Sequence, residues 1–394
     1  MAGGELMDFG DSPEEASFRE EVRTWFAAHL PAGWANRRPQ AGRYSDDEAR
    51  RWSRALYDAG YVGLTWPKAF GGRGLGYAMQ GIFLEESARA GAPEHIGVIG
   101  LGMAGPTIIA HGTDEQKARY LGPLLKADEI WCQGFSEPGS GSDLAAVRTR
   151  AVLDGDEWVI NGQKVWSSYA HIADHCILLV RTDPAADRHR GLSYLLVDMK
   201  TAGVEVRPLT QITGDPEFNE IFFDDVRIPR CSMLGEVGDG WEIAMTTLLH
   251  ERGTLGFGIV ATLEQRTNQL IVLVGESGMH TDPLVRDQVA QFWIALQALR
   301  FTNYRSITAL QRTGVPGPEG SITKLFYSEV NQALTSFAQR LCGLFSQLDD
   351  EAAVWGGFWT YQQLRSRANT IEAGTSEVLR NIIAERVMGL PSSR

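Results

Sequence analysis

Gln133-Gly134-Phe135-Ser136-Glu137-Pro138-Gly139-Ser140-Gly141-Ser142-Asp143, followed by Asn161-Gly162-Gln163-Lys164-Val165-Trp166-Ser167-Ser168, decides how this chain is read. The first segment is a turn on Glu137-Pro138-Gly139 that strings together small residues and short hydroxyls, where backbone N–H groups can face a ligand. The second ends on Trp166, a large flat ring flanked by Ser167 and Ser168. A flat ring can cover one face of a planar cofactor while short donors meet its heteroatoms. A Gly/Ser turn alone can bind nothing, so the weight falls on the order and spacing of the two segments together.

Around this block the period of the sequence changes. Ser12-Pro13-Glu14-Glu15 is a helix start, and Phe18, Val22, Trp25 and Phe26 recur at helical spacing; a second helix is expected over Asp46–Ala59. Trp66-Pro67-Lys68-Ala69-Phe70-Gly71-Gly72 reads as a loop, because its glycines do not fit a dinucleotide fingerprint. From about 131 to 230 the period falls to two. Asp154-Gly155 marks a hairpin, Asn161-Gly162 a second turn, and further strands fit 176–181, 192–198, 203–208 and 219–224 before Asp224–Pro229 closes the region. From 231 to 394 long helical patterns return, broken by a Gly/Pro-rich loop at Gly314–Gly320. The expected fold is α+β, with an N-terminal helical domain (1–130), a middle β-barrel or sandwich domain (131–230) and a C-terminal helical bundle (231–394).

Composition narrows the function. A chain of 394 residues can bury a sizeable core. A net charge of −12 with no run of Lys or Arg argues against nucleic acid or an anionic membrane surface as partner. Cys132, Cys176, Cys231 and Cys342 lie far apart in sequence with no metal spacing, which points to reduced thiols and no metal site. The acidic N-terminus has no apolar core of a signal peptide, and apolar runs such as Cys176–Val180 fall far short of the roughly 20 residues that cross a bilayer. The expected location is cytoplasmic.

In this order the two segments resemble the flavin-binding signature of the acyl-CoA dehydrogenase family, Thr/Ser-Glu-Pro-Gly-x-Gly-Ser-Asp followed by Asn-Gly-x-Lys-x-Trp. The Trp-Pro…Gly-Gly loop, the Asp224-Asp225-Val226-Arg227-Ile228-Pro229 run and the α–β–α order are similar too, so the resemblance spans nearly the whole chain. It implies bound FAD and oxidation of an acyl-CoA thioester to the 2-enoyl-CoA, with electrons passing to an electron-transfer flavoprotein. In that reaction a carboxylate removes the α-proton while the β-hydrogen leaves as hydride to flavin N5. Donors to the thioester carbonyl are required, since the α-proton is very weakly acidic until charge on that oxygen is stabilised. Carried over by position, the resemblance puts Gln133, Phe135, Ser136, Gly141, Ser142, Trp166 and Ser168 at the flavin, with Thr375 and Glu377 from Ile371-Glu372-Ala373-Gly374-Thr375-Ser376-Glu377. It puts Ser142, Arg252, Ala373 and Gly374 at the substrate.

Two departures locate the branch. Where many members carry the catalytic Glu, this chain has Ala373. Glu372 is one residue away, and a shift of one residue swings a side chain by about 100° on a helix or to the opposite side of an extended chain. The better candidate is Glu251 of Glu251-Arg252, since isovaleryl-type and actinobacterial steroid-side-chain members carry their base in such a dipeptide; Leu248 and Leu255 set it beside an apolar face. Alanine keeps the backbone N–H that would serve the carbonyl oxygen. The second departure is Glu276-Ser277-Gly278-Met279-His280-Thr281 in place of Arg-x-x-Phe-Gly, with Arg340-Leu341-Cys342-Gly343-Leu344 in place of Gln-x-x-Gly-Gly. Either Arg340 neutralises the FAD pyrophosphate, or an unlike chain completes the site. A homodimer or tetramer and an α2β2 heteromer are therefore both open. The alternatives to a dehydrogenase are a non-catalytic or half-site subunit of a heteromer, and a flavin oxidase or tailoring enzyme on carrier-protein thioesters.

Overall fold

The computed structural model describes residues 10–31, 45–314, 317–348, 350 and 352–392, without the side chains at 252–255 and 257. The N-terminal stretch before Gly10 and part of the Gly314–Gly320 loop lie outside the described residues. Helix α1 (Pro13–His29) starts at a capping box: Ser12 accepts from the Glu15 N–H while Glu15 accepts from the Ser12 N–H. Ser45 and Glu48 repeat the device at α2 (Asp46–Asp58). Phe18, Val22 and Phe26 share one face of α1 and bury against Trp52, Leu56, Tyr61 and Phe83. Helices α3 (Tyr77–Ala90), α4 (Gly105–His111) and α5 (Asp114–Leu125) complete this layer. The Trp66–Gly72 segment is a tight turn, as expected: a Cβ on Gly72 would sit 2.2 Å from the Trp66 carbonyl oxygen.

The middle region is one sheet of eight strands: β1 (Trp131–Gly134), β2 (Arg150–Asp154), β3 (Glu157–Lys164), β4 (His175–Arg181), β5 (Leu192–Asp198), β6 (Val204–Leu209), β7 (Phe218–Pro229) and β8 (Met233–Leu234). The order is β6-β7-β3-β2-β4-β5-β8, with β1 parallel to β4. Strand β4 is buried on both faces, which explains its unbroken apolar run. Cys176, Leu178 and Val180 enter a core made of the sheet's own residues, over which it curls. Ile177 and Leu179 face the N-terminal helices.

Two expectations are corrected here. Asn161-Gly162 is not a turn but a bulge inside β3, where the register with β7 shifts. A Cβ at Gly162 would meet Thr149 Oγ1 at 2.5 Å, so glycine serves close approach of two backbones; Asn161 instead exchanges hydrogen bonds with Asp225. The Asp224–Pro229 run is the second half of β7, and the short β8 extends the sheet beyond it.

The C-terminal region packs α6 (Gly240–Glu276), α7 (Pro283–Thr313), α8 (Gly320–Leu341), α9 (Phe358–Asn369) and α10 (Ser376–Ile382). Leu263, Leu270, Leu296 and Leu334 are wholly buried between them, each worth about 1.5–3 kcal/mol of transfer free energy. The start of α6 presses on β5, where a Cβ at Gly240 would lie 2.5 Å from the Ser193 nitrogen. Buried hydroxyls knit three layers together. Thr247 of α6 meets Thr107 of α4 at 2.9 Å and Tyr194 of β5 at 3.0 Å, and Tyr194 stands edge-on to Phe135. Fully satisfied, such a chain fixes α6 against the sheet.

Candidate active site

In the sheet domain, the Glu137-Pro138-Gly139 turn is closed by reciprocal backbone bonds between Glu137 and Ser140, both 2.9 Å. The Glu137 side chain points inward. Its carboxylate accepts from the Arg148 N–H at 2.7 Å, the Thr149 N–H at 2.8 Å and Lys164 Nζ at 2.9 Å. Lys164 is wholly buried and also donates to the Phe135 carbonyl at 3.0 Å. Complete burial pushes its ammonium down to about 8 despite the adjacent carboxylate. Burial pushes Glu137 the other way, but Lys164 and the two N–H donors outweigh it and hold the carboxyl below the usual range. Both motif segments are thus tied at one point: the Val165 N–H also donates to the Ser136 carbonyl at 2.9 Å. Lys164 lies within the quoted motif, yet its role was not legible there. The available signal was its position on the inward face of β3 with Trp158 and Ile160.

This scaffold presents the predicted residues. Phe135 is buried, Ser136 and Ser168 half-buried, and Gly141 and Ser142 exposed, with open space beside Gly141. Trp166 is 61% exposed although its backbone is held at φ +62, a costly conformation for a bulky residue. Its ring stands edge-on to Phe218 at 6.0 Å. The Ser167 N–H donates to the buried Asn219 carbonyl and the Tyr169 N–H to the Glu217 carbonyl, which lock the ring's backbone to β7. Gln133 Nε2 and Ser167 Oγ are buried with no hydrogen-bond partner among the described residues.

In the helical domain, α9 ends at Asn369 and the chain turns through Ala373 (φ +48) and Gly374 (φ +94) into α10. Among the described residues the Ala373 N–H has no hydrogen-bond partner, an uncommon state for a half-buried amide. Glu372 is engaged elsewhere: it pairs with Arg365 at 3.1 Å and accepts from Asn369 Nδ2 at 2.8 Å. Thr375 caps α10 by accepting from the Val378 N–H, and Glu377 is exposed in its first turn. This turn is anchored to the Trp166 segment through α9, since Tyr361 donates to Asp215 at 2.7 Å, two residues before Glu217. Neither Tyr361 nor Asp215 carries a motif that sequence reading could use.

Glu251 lies in the first half of α6, half-buried; Arg252's side chain and that of Leu255 lie outside the described residues. Burial lowers the adjacent His250, and His111 lowers it further. Five residues on, a Cβ at Gly256 would touch Asn303 and come within 3.8 Å of Thr323, the residue before Lys324 of α8. Lys324 Nζ in turn donates to the Gly374 carbonyl at 2.8 Å. The helix bearing Glu251 and the Ala373 turn are therefore held by the same stretch of α8. Arg340 is set apart from these groups, exposed at the C-terminal end of α8 with its guanidinium over the Phe337 ring. Cys132 and Cys176, distant in sequence, pair in register on β1 and β4 as buried free thiols.

Comparison with known proteins identifies the family. The N-terminal, middle and C-terminal domain models of acyl-CoA dehydrogenase match residues 12–128, 132–226 and 238–388. Acyl-CoA dehydrogenase IpdE1 of Mycobacterium tuberculosis is 42% identical over 95% of this chain and 97% of its own length. The short-chain specific acyl-CoA dehydrogenase of human mitochondria is 33% identical over 84% of this chain and 80% of its own length. Among solved structures, the Tcur3481-Tcur3483 steroid ACAD aligns with a TM-score of 0.88 at 31% identity, covering 98% of this chain and 100% of that one. The ChsE4-ChsE5 complex from Mycobacterium tuberculosis aligns at 0.82 and 30%, covering 98% and 100%. The residues present fit a flavin: Gln133 Nε2 and Ser167 Oγ are buried donors without a partner among the described residues, and Trp166 exposes its ring on a backbone tied to β7. With these matches along its whole length, the chain belongs to the acyl-CoA dehydrogenase family and is an FAD-dependent oxidoreductase.

Proposed function

We propose that this chain carries out the α,β-dehydrogenation of an acyl-CoA thioester with Glu251 as the base. The observation that carries this reading is the pairing of Glu372 with Arg365 and Asn369 beside an alanine at the family's usual base position. A carboxylate so placed, one residue from the family's base position and turned to Arg365 and Asn369, is a poor candidate, and Glu251 lies on the helix tied through α8 to the same turn. In this reading Gln133, Phe135, Ser136, Gly141, Ser142, Trp166 and Ser168 hold the flavin from the sheet side, and Thr375 and Glu377 from the helical side. Bound there, FAD supplies the hydride acceptor. The Ala373 N–H, unpartnered among the described residues, donates to the thioester carbonyl oxygen and stabilises the charge that grows there as Glu251 takes the α-proton. Ser142 and Gly374 line the thioester side. Replacing Glu251 with Gln removes the base while keeping shape, and is expected to lower turnover by about 10²–10⁴-fold with the bound-flavin spectrum intact. Normal turnover in that variant would sink the assignment.

The chain works as part of an oligomer in this reading. Ile294 and Phe301, seven residues apart on one face of α7, are exposed apolar side chains of the kind that mark association surfaces. Arg340, exposed rather than engaged by the chain's own sheet domain, is available to a neighbouring flavin pyrophosphate. Two similar structures pair unlike chains, which favours a heteromer over a homotetramer here. An electron-transfer flavoprotein is the proposed acceptor. Mass spectrometry of the native complex, with flavin counted per chain, decides between one FAD per chain and one per unlike pair.

A further inference from the structure

The turn that carries Ala373 is held from beneath by a buried lysine. Lys324 is 7% exposed, and its Nζ donates to the Asn369 carbonyl at 2.7 Å and the Gly374 carbonyl at 2.8 Å. These two carbonyls bracket the strained segment. Asn369 is the last residue of α9, so its carbonyl is one of the helix-end acceptors without an intrahelical partner, and a cation there is favoured by the helix dipole. Gly374 directly precedes Thr375, the N-cap of α10. One ammonium therefore joins the end of one helix to the start of the next. The α8 helix adds two further ties on the same residue: Ser328 Oγ donates to the Asn369 carbonyl at 2.7 Å, and Asn331 Nδ2 to Asn369 Oδ1 at 2.8 Å.

A non-glycine residue at φ +48 is strained and persists only where its surroundings over-determine it. The Lys324–Ser328–Asn331 row on α8 supplies that determination. We infer that Lys324 is a positioning residue: it fixes the Ala373–Gly374 turn so that the Ala373 N–H is set in advance toward the substrate's thioester oxygen. This rests on the dehydrogenase reading above. A pre-set donor stabilises developing charge without reorganising during the reaction, so a loosened turn costs turnover more than binding.

The test uses the flavin-loaded full-length chain with any chain that co-purifies, and acetoacetyl-CoA as probe. On that thioester the C2 proton leaves to solvent and the negative charge spreads onto the carbonyl oxygens, which is read optically as enolate against pH. Wild type is expected to ionise the bound probe at a lower pH than free acetoacetyl-CoA. Lys324→Met should raise that pH by at least one unit and lower kcat at least tenfold, with KM changed less than threefold and flavin retained. Lys324→Gln, which keeps a neutral N–H donor group without the charge, should recover part of both. Should Lys324→Met fail to fold, Ser328→Ala, which removes one tie to Asn369 and keeps the charge, is expected to lower kcat two- to fivefold with a shift in the same direction. The inference is overturned if the variants that fold ionise the probe as wild type does, whether kcat holds or falls together with thermal stability. If wild type itself does not promote ionisation, the dehydrogenase reading fails and this inference with it.

Discussion

Two buried lysines hold the two sides of this site, and they are built differently. Lys164, in the sheet domain, meets a carboxylate: Glu137 lies 2.9 Å away and is itself fed by two backbone N–H groups. Lys324, in the helical domain, clamps carbonyl oxygens at a helix end and a strained turn. The first joins two segments of one strand-rich motif and, in the proposed reading, bears on whether the flavin platform exists. The second ties elements brought together only by helix packing and, in the same reading, bears on the aim of one N–H group. Burial raises the cost of breaking either, but by different routes, since removing Lys164 strands a charge whereas removing Lys324 strands neutral acceptors.

The sharpest way to break this comparison is Lys164→Met. With Glu137 left unpaired beneath the turn, unfolding free energy should fall by about 3–5 kcal/mol and flavin should dissociate, as read by urea titration and by absorbance after gel filtration. A loss below about 1 kcal/mol would show that the backbone donors alone hold Glu137. The pH dependence comes next. Lys164 titrates near 8 in the folded chain and near 10.5 unfolded, so between those values the unfolded state binds more protons and stability from this group rises with pH. The stability of wild type relative to Lys164→Met should therefore grow by about 3 kcal/mol from pH 8 to 10.5 and stay flat below. A difference that shrinks over that range would mean that the ammonium is not depressed.

On the helical side the expected effects are smaller. Glu372→Gln removes one half of a partly exposed pair with Arg365, and should cost no more than about 1 kcal/mol with turnover within about threefold of wild type. Loss of turnover with flavin retained would transfer the base role from Glu251 to Glu372. Smallest of all is Ala373→Gly. Relief of the φ +48 strain is offset by the greater freedom of glycine in the unfolded chain, so stability should change by less than about 1 kcal/mol. Turnover close to wild type would show that the clamp, and not the residue it holds, sets the turn; a tenfold loss would shift that role to the side chain at 373.

Much of the site's sheet half was legible because its signals are local. Glu137-Pro138-Gly139 closes a turn within four residues, and Asp154-Gly155 closes its hairpin. Asn161-Gly162 misled for the same reason: the dipeptide suits a turn, but the strand runs on because Thr149 requires a residue without a side chain at that point. The helical half was legible only as a departure. That Ala373 replaces a carboxylate is visible in the sequence, whereas the pairing of Glu372 with Arg365, the free Ala373 N–H and the Lys324 clamp are not. Arg340 shows the converse, a charged residue whose motif position suggested a role that the chain's own fold leaves at the surface.

By itself, then, the sequence determined the family, the α–β–α order, the flavin and the absence of a base at 373, because turn chemistry, periodicity and motif spacing act between near neighbours. Tertiary structure alone decided that Glu372 turns to Arg365 and Asn369, that the Ala373 amide has no partner among the described residues, and which lysine lies under which turn. Those outcomes depend on burial and pairing across elements far apart in the chain, where the energy of a charge or an amide is set by what packs against it.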